Sequence, residues 1–510
     1  MRALVSVSDK TGLLPFVQGL RELGWTIIAT GGTQKLLEQS GVQTVGISEV
    51  TGFPEILDGR VKTLHPKVHG GILARRDLPE HMEVLAQQQI ETIDLVCVNL
   101  YPFRQTIAKE GVTMADAIEN IDIGGPSMVR SAAKNWRDVT IVCDPADYDT
   151  VLAELRENGK TSDATRLKLS AKAYTHTAEY DMCISTYMRA QAGLNEKLFL
   201  EYDLKQPLRY GENPHQDAKF YASLEPAPYS LAFARQIQGK ELSYNNIQDA
   251  NAALNVLRDF DGAPFCVALK HMNPCGAAVG QTIEQAWQAA YEADKVSIYG
   301  GIVGVNRELT AEVALGMKPI FLEIVIAPSY TPEALEILSA KKNLRVLEVP
   351  MHPEAQAPMQ YVGVNGGMLA QRLDVAVEAV RPEMCVTKVK PTDAQLADLD
   401  FGWRIVKHVK SNAIAVVRDS HTIGVGAGQT NRVGSAEIAL KEAQAAGFTE
   451  GLVLASDGFL PFGDTVELAA RYGVTAIVQP GGSIRDEESI AKADELGITM
   501  LFTGIRHFKH

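Results

Sequence analysis

The hydrophobic period of the chain changes repeatedly within its first forty residues. Ala3 to Val7 is a short apolar run that enters the polar stretch Ser6-Val7-Ser8-Asp9-Lys10-Thr11-Gly12. Leu13, Phe16, Val17 and Leu20 then recur at helical spacing. Trp25 to Ala29 is apolar again and ends in Thr30-Gly31-Gly32-Thr33, after which Leu36 and Leu37 form the apolar face of a second helix. Strand, loop and helix in alternation imply a parallel sheet with helices on its faces. Both loops then lie at carboxyl ends of strands and open helices, where backbone N–H groups and the helix dipole favour an anion. Gly31-Gly32 suits either a tight turn or close approach of the backbone to a phosphate. It belongs neither to a dinucleotide Gly-x-Gly-x-x-Gly pattern nor to a Walker loop.

Asp58-Gly59-Arg60-Val61-Lys62-Thr63-Leu64-His65-Pro66-Lys67-Val68-His69-Gly70-Gly71 concentrates cations and histidines. If this stretch is extended, Arg60 and Lys62 share one face, and Thr63, His65, Lys67 and His69 the other. Such a cluster either stays solvated or meets an anion. Asp94 to Leu100 reads as a buried strand ending at Tyr101-Pro102-Phe103. Asn120-Ile121-Asp122-Ile123-Gly124-Gly125-Pro126-Ser127 sets a carboxylate beside a second Gly-Gly turn. A helix follows, with Met128, Val129, Ala132 and Ala133 inward and Lys134 near its end. Val139 to Val142 is one more strand, and residues 145–197 read as helical and close the domain.

The 510 residues suffice for two to four domains, and the net charge of −13 disfavours wholesale binding to a phosphate backbone, so no nucleic-acid partner is expected. The six cysteines are widely spread, with no Cys-x-x-Cys pair, which argues against a disulfide framework. The first residues are too short and polar a run for a signal peptide, and no apolar run approaches a membrane span. A cytoplasmic protein with no membrane partner is expected.

Further on, Cys266-Val267-Ala268-Leu269-Lys270-His271-Met272-Asn273-Pro274-Cys275-Gly276 reads as a buried strand that stops abruptly at a cation and a group able to carry a proton near neutral pH. It is equally readable as a strand end with Lys270 reaching solvent. Leu208-Arg209-Tyr210-Gly211-Glu212-Asn213-Pro214-His215-Gln216 offers a compact set of hydrogen-bonding groups, with an arginine suited to phosphate or carboxylate. Gly239 to Asn246 precedes a helix that contains Asp249 and Asn251, in positions open to a polar loop and cap reading. The Lys-His pair recurs at Lys407-His408, followed by Asn412, which suggests two subdomains of similar topology joined by residues 330–365. Duplicated strand–helix units with Pro-Cys are reminiscent of a cytidine-deaminase core. The zinc signature fails, because Pro274-Cys275 is followed by Gly276-Ala277-Ala278 with no second cysteine, so no metal ligand set is assigned.

Ser6-Val7-Ser8-Asp9-Lys10, Asp58 to Pro66, Asn99-Leu100-Tyr101-Pro102-Phe103 and Asp122-Ile123-Gly124-Gly125 resemble the inosine monophosphate (IMP) cyclohydrolase half of a bifunctional purine-biosynthesis family. Arg209-Tyr210, Asn213-Pro214-His215, Lys270-His271, Ser411-Asn412, Phe459 with Phe462, and Asp464 resemble its aminoimidazole carboxamide ribonucleotide (AICAR) formyltransferase half. The resemblance covers nearly the whole chain. It implies an α/β architecture: a methylglyoxal-synthase-like parallel-sheet domain over 1–197, then a formyltransferase domain over 198–510. The latter would hold two cytidine-deaminase-like subdomains without zinc, about 198–330 and 365–510.

The activities so implied are formyl transfer from 10-formyltetrahydrofolate to AICAR, giving formyl-AICAR (FAICAR), and cyclisation of FAICAR to IMP with loss of water. In transfer, His271 would move the proton, Lys270 would stabilise the anion or protonate the departing folate nitrogen, and Asn412 would orient the ribonucleotide or hold the carbonyl oxygen. Arg209, Tyr210 and His215 would bind nucleotide, with Phe459, Phe462 and Asp464 lining a pocket. In ring closure, Lys62 would stabilise the oxyanion. Tyr101, Asp122 and Lys134 would relay protons, and Ser6, Ser8, Lys10, Gly32, Thr33, Arg60 and Thr63 would hold the substrate. A homodimer is implied, and a bound potassium ion is compatible with the resemblance although the sequence holds no ligand motif for it. The competing readings are a zinc-type deaminase or hydrolase and a phosphometabolite-sensing module.

Overall fold

The computed structural model describes residues 1–224, 227, 229–351 and 357–510. The chain forms two compact units, Met1–Glu201 and Tyr202–His510. Among the described residues the first unit carries a five-stranded sheet, and the second an eleven-stranded sheet with two separate hairpins. No helix among them is long and apolar enough to cross a membrane.

In the first unit the sheet order is Val45–Gly46, Thr26–Ala29, Arg2–Ser6, Leu95–Val98, Thr140–Val142, and every pairing is parallel. The buried faces of the helices Leu13–Glu22 and Gly124–Lys134 supply Leu13, Phe16, Val17, Leu20, Met128, Val129, Ala132 and Ala133 to the core. Chain order reverses between Arg2–Ser6 and Leu95–Val98, which makes the carboxyl ends of these two strands the topological switch point where ligands bind in such sheets. The basic stretch is not extended: Leu57, Asp58 and Gly59 take left-handed backbone in a turn closed by an Ile56–Val61 bridge, and Lys62 and Thr63 lie in bends that lead to His65. A helix spans Pro66–Leu73, with Pro66 at its first position and His65 Nδ1 accepting from the Lys67 N–H at 3.1 Å. Proline pre-sets the helical φ there, so Lys67 and His69 lie on a helix rather than on one face of an extended run, with the His69 imidazole near the Thr63 backbone. His69 packs inward, with Nδ1 3.0 Å from Ser131 Oγ, and burial lowers its pKa.

The second unit is a duplication. Its first half runs helix Tyr244–Arg258, hairpin Phe265–Lys270 with Asn273–Val279, helix Ile283–Ala293, strand Gly301–Val305, helix Ala311–Met317, strand Leu322–Ala327, helix Pro332–Ser339 and strand Arg345–Glu348. Its second half repeats that order from helix Asp393–Val406 through the hairpin Ile414–Arg418 with His421–Gly426 to the strand Thr499–Phe502. The first half thus continues through Arg345–Glu348, beyond the boundary near 330 read from the sequence; residues 352–356 of the joining stretch lie outside the described ones. The halves meet strand to strand, Asn273–Val279 against His421–Gly426, so one sheet crosses the whole unit.

The register of this duplication differs from the Lys-His match. Lys270 ends a strand, whereas Lys407-His408 follows the helix Asp393–Val406. The structural counterpart of His271-Met272 is Asp419-Ser420. Both pairs form two-residue hairpin turns with left-handed backbone, φ 55° and 63° in the first and 51° and 55° in the second. Such turns match the twist of the flanking strands, but non-glycine residues there cost roughly 1–3 kcal/mol each. Gly276 and Gly424 are likewise equivalent: a side chain on either would strike the backbone carbonyl of the following helix, at Ala290 and Ala439.

Lys407 and His408 instead form a buried cluster with Asp259, at 2.7 Å and 2.6 Å from its Oδ2. Burial pushes the Asp259 carboxyl up, but hydrogen bonding and charge from His408 and Lys407 outweigh it and hold the group below its ordinary value. Burial keeps the His408 imidazole low as well. Removing the carboxylate would leave a buried ammonium without its counter-charge. Asp259→Ala is therefore expected to cost about 3–5 kcal/mol of stability, read as a shift of the denaturation midpoint. A change below ~1 kcal/mol would mean that the pair behaves as a surface pair.

Candidate active sites

Three loops at the switch point of the first unit enclose a cavity of about 610 Å³. Ser6 ends the strand Arg2–Ser6, and Val7 and Ser8 follow it; Thr30 to Thr33 follow Thr26–Ala29; Asn99 and Tyr101 follow Leu95–Val98. The wall is completed by Lys10, Glu55, Asp58–Thr63 except Val61, and Ile118 to Met128 in part. Ser6, Ser8, Lys10, Gly32, Thr33, Arg60, Lys62, Thr63, Tyr101 and Asp122 are thereby brought together. Lys134 is not: it is exposed at the far end of the helix Gly124–Lys134, about 15 Å along the axis from Gly124.

The cavity wall sets the cations Lys10, Arg60 and Lys62 among the carboxylates Glu55, Asp58, Glu119 and Asp122. The helices Gly31–Gln39 and Gly124–Lys134 both begin at its wall, and neither carries an acidic residue in its first turn or a side-chain bond from its N-cap residue. The leading N–H groups of Gly31–Gln39 are left without a side-chain cap, whereas the Asp122 carboxylate, just before Gly124–Lys134, takes the Gly125 N–H of the second helix. A side chain on Gly32 would meet nothing within 4 Å, whereas one on Gly31 would lie 3.6 Å from Lys62 Nζ. Lys62 therefore reaches across to the start of that helix. Thr33 Oγ1 bridges the Val7 N–H and carbonyl, each at 3.1 Å, and Ser6 Oγ lies 2.6 Å from Thr30 Oγ1, which locks the two loops together.

Asn99, part of a motif quoted for the strand end and for the family resemblance but given no role of its own, organises the first loop. Its Oδ1 accepts from the Ser8 N–H at 2.6 Å and the Asp9 N–H at 3.0 Å, and its Nδ2 donates to the Asp9 carbonyl at 2.9 Å. No side-chain period signals such a role. Asp122 is fixed by the Gly125 N–H on Oδ1 at 2.8 Å and by its own N–H on the Tyr180 hydroxyl at 2.7 Å. A side chain at Gly125 would collide with the Asp122 carboxylate, and one at Gly124 would come within 2.6 Å of Thr63 Oγ1, so this Gly-Gly is a packing requirement. Burial raises the Asp122 pKa, opposed by the Gly125 N–H and by Lys62. Burial also raises that of Tyr101, reinforced by Asp122 and Glu55. Arg60 pairs with Glu119 at the rim.

The transferase candidates lie in the second unit, along one connected path. The Glu212 carbonyl, in the Arg209–His215 loop, accepts from Asn245 Nδ2 at 3.4 Å. One turn further along the same helix, Asp249 Oδ1 accepts from the Met272 N–H at 2.7 Å. Asn273 Oδ1 accepts from the Lys410 N–H at 2.9 Å and so ties the His271 turn to the segment holding Asn412. Asn412 is clamped, with Nδ2 on the Gln429 carbonyl at 2.8 Å and Oδ1 receiving Arg432 Nη2 at 2.8 Å. Arg432 also pairs with the buried Asp457, whose other oxygen accepts from Ser411 Oγ at 2.5 Å. Beyond Asp457 come Phe459 and Phe462, both exposed, with the Arg485 guanidinium 4.3 Å over the Phe462 ring, and then exposed Asp464. The Lys509 backbone and side chain bind Ser411 and the His408 carbonyl. Lys270 Nζ donates to the Tyr299 carbonyl at 2.9 Å. Arg209 and His215 are exposed, and Tyr210 is half-buried under the Arg209 guanidinium. The sequence reading assigns no role to Arg432, Asp457 or Lys509, and it names Asp249 only as a helix residue open to a polar loop and cap reading; each sits in an ordinary helix, strand-end or terminal context. Among the described residues no group of three or more His, Cys, Asp or Glu side chains is placed to share a metal ion.

Residues 132–442 match the family model described as the AICARFT/IMPCHase bienzyme, and residues 12–127 that of the MGS-like domain. The bifunctional purine biosynthesis protein PurH of Streptococcus thermophilus is 58% identical over 100% of this chain and 99% of its own. Its counterpart from Streptococcus pneumoniae strain P1031 is 57% identical over the same shares. A solved structure titled crystal structure of ForH shares 40% identity over 36% of this chain and 95% of its own, at a TM-score of 0.34.

Proposed function

The chain belongs to the AICARFT/IMPCHase bienzyme family, and from that premise we propose how its two chemistries are divided. It is a bifunctional enzyme of purine biosynthesis, an AICAR formyltransferase and IMP cyclohydrolase using a folate-type cosubstrate. Ring closure belongs to the cavity of the first unit. The observation that carries this is the convergence there of Lys62, Tyr101 and Asp122 beside the uncapped start of the helix Gly31–Gln39. The ribonucleotide phosphate of FAICAR sits on the loops Ser6–Lys10 and Gly31–Thr33, with Arg60 and Thr63 alongside. The carboxamide nitrogen attacks the formyl carbon, the Lys62 ammonium faces the oxygen that gains charge, and Asp122 with Tyr101 passes the protons that leave with water.

Formyl transfer belongs to the second unit, with 10-formyltetrahydrofolate as donor. The 5-amino nitrogen of AICAR attacks the formyl carbon, its proton goes to His271, and the bond to the folate N10 breaks as N10 gains a proton from Lys270. Asn412 has one amide N–H left for the carbonyl oxygen, since Gln429 takes the other. Arg209, Tyr210 and His215 hold nucleotide; Phe459, Phe462 and Asp464 line the folate side. Transfer to so weak a nucleophile is unfavourable, and ring closure pulls it forward. No step is assigned to zinc or potassium. The enzyme is proposed to work as a cytosolic homodimer. Supporting this, the hairpin Met359–Arg372 exposes Met359, Val362, Val364, Met368 and Leu369, and a lone two-stranded hairpin is marginal in water.

Purified protein given AICAR and 10-formyltetrahydrofolate is expected to make IMP, followed by its absorbance or by chromatography; no product with authentic substrates would sink the reading. Given FAICAR alone, it should lose rate on the acid side at a pH above the ordinary aspartate range, because burial raises the Asp122 pKa. Asp122→Asn should flatten that limb; an acid limb untouched by the substitution would remove Asp122 from the proton path. The sign for stability is the reverse: the fold disfavours ionised Asp122, so a cost is present above the raised pKa and vanishes below the ordinary one.

A further inference from the structure

We propose that Asp249 is a positioning residue for formyl transfer, holding His271 at the substrate through the backbone of its turn. The proposal rests on the reading of His271 as the proton-transfer residue. His271 and Met272 form the two-residue turn between Phe265–Lys270 and Asn273–Val279, both in the left-handed region. The side chain of His271 is exposed and makes no hydrogen bond among the described contacts; it stands near enough to the Asp249 carboxylate to interact with it by charge, so Asp249 acts on it both through the backbone of the turn and directly. That backbone is held from below. Asp249, in the helix Tyr244–Arg258, accepts the Met272 N–H at 2.7 Å, and the His271 N–H also faces its carboxylate. From the other side, Asn273 Nδ2 donates to the His271 carbonyl at 3.0 Å.

The duplicated half supplies a built-in comparison. Asp398 is the sixth residue of the helix Asp393–Val406, as Asp249 is of Tyr244–Arg258. It accepts the Asp419 N–H at 3.1 Å and the Ser420 N–H at 2.6 Å, at the equivalent left-handed turn. Both helices open with a reciprocal cap, Ser243 with Asn246 and Thr392 with Gln395. The scaffold device is therefore the same twice, and only the first copy carries a histidine on the turn it holds. A carboxylate kept solely for folding would matter equally in both halves. One kept for chemistry would matter to transfer in the first alone.

The test is the matched pair Asp249→Ala and Asp398→Ala in the full-length protein, with Asp249→Asn as the conservative variant and kcat measured separately for transfer and for closure of supplied FAICAR. Asp249→Ala is expected to lower transfer kcat by tenfold to about 100-fold, with ring closure unchanged. Asp249→Asn, whose amide oxygen still accepts an N–H, should recover most of it and also serves if the alanine variant does not fold. Asp398→Ala should shift the denaturation midpoint comparably while keeping transfer kcat within about twofold of the parent. Equal transfer kcat in Asp249→Ala and Asp398→Ala, with His271→Ala inactive, would make Asp249 structural only and overturn the proposal. An active His271→Ala would overturn the underlying reading of His271, and this one with it.

Discussion

Replacing His271 by alanine is expected to slow formyl transfer by about 10²–10⁴-fold and to leave closure of supplied FAICAR at the parent rate. The two outcomes are separable because His271 lies in the second unit and every residue lining the cavity proposed for ring closure lies in the first. Alanine also removes a residue tolerated in the left-handed region, so backbone relaxation could mimic lost chemistry. His271→Asn controls for this, since asparagine accepts that φ but cannot carry the proton. Both variants should fall together. A slow alanine variant beside a near-normal asparagine variant would show that the turn, not the imidazole, was lost. Loss of both activities in a folded protein would count against separate sites.

Lys62→Ala should do the converse. Its ammonium reaches the start of the helix Gly31–Gln39 and stands near Asp122 across the cavity. Removing a preformed positive donor from the place where an oxyanion develops costs about 10²–10³ in rate. Ring closure should drop by that factor with transfer unaffected, and FAICAR should accumulate when AICAR and 10-formyltetrahydrofolate are supplied together. Lys62→Arg keeps charge but not the point geometry, and should recover little of the rate. Closure at the parent rate in Lys62→Ala would hand the oxyanion to the helix N-terminus alone.

The parallel sheet of the first unit was legible because strand and helix periods alternate cleanly from Ala3 to Leu37, and its cavity because glycine turns and polar residues cluster where those strands end. Lys67 and His69 were misplaced because a basic run looks alike in loop and helix; Pro66 was the overlooked sign of a helix start. Lys134 fell outside the cavity because a helix of 11 residues carries its two ends far apart. The duplication was visible, but its register was not. His271-Met272 and Asp419-Ser420 share a backbone conformation and no residue type, while two letters, Lys-His, recur by coincidence at Lys407-His408. Asp249 and Asp398 act on N–H groups more than twenty residues away, and hydrophobic periodicity carries no record of a side chain that answers to backbone.

The seam between Asn273–Val279 and His421–Gly426 bears on how this chain can be made. Neither half ends in a finished sheet: each, alone, presents a central strand with its hydrogen-bonding groups bare, the template for edge-to-edge aggregation. As the ribosome delivers the first half, that edge stays open until the second hairpin emerges some 140 residues later. Expression of residues 202–351 by themselves should give aggregates, and co-expression with 357–510 should rescue them, because the duplicate half is what covers the open strand in the whole unit.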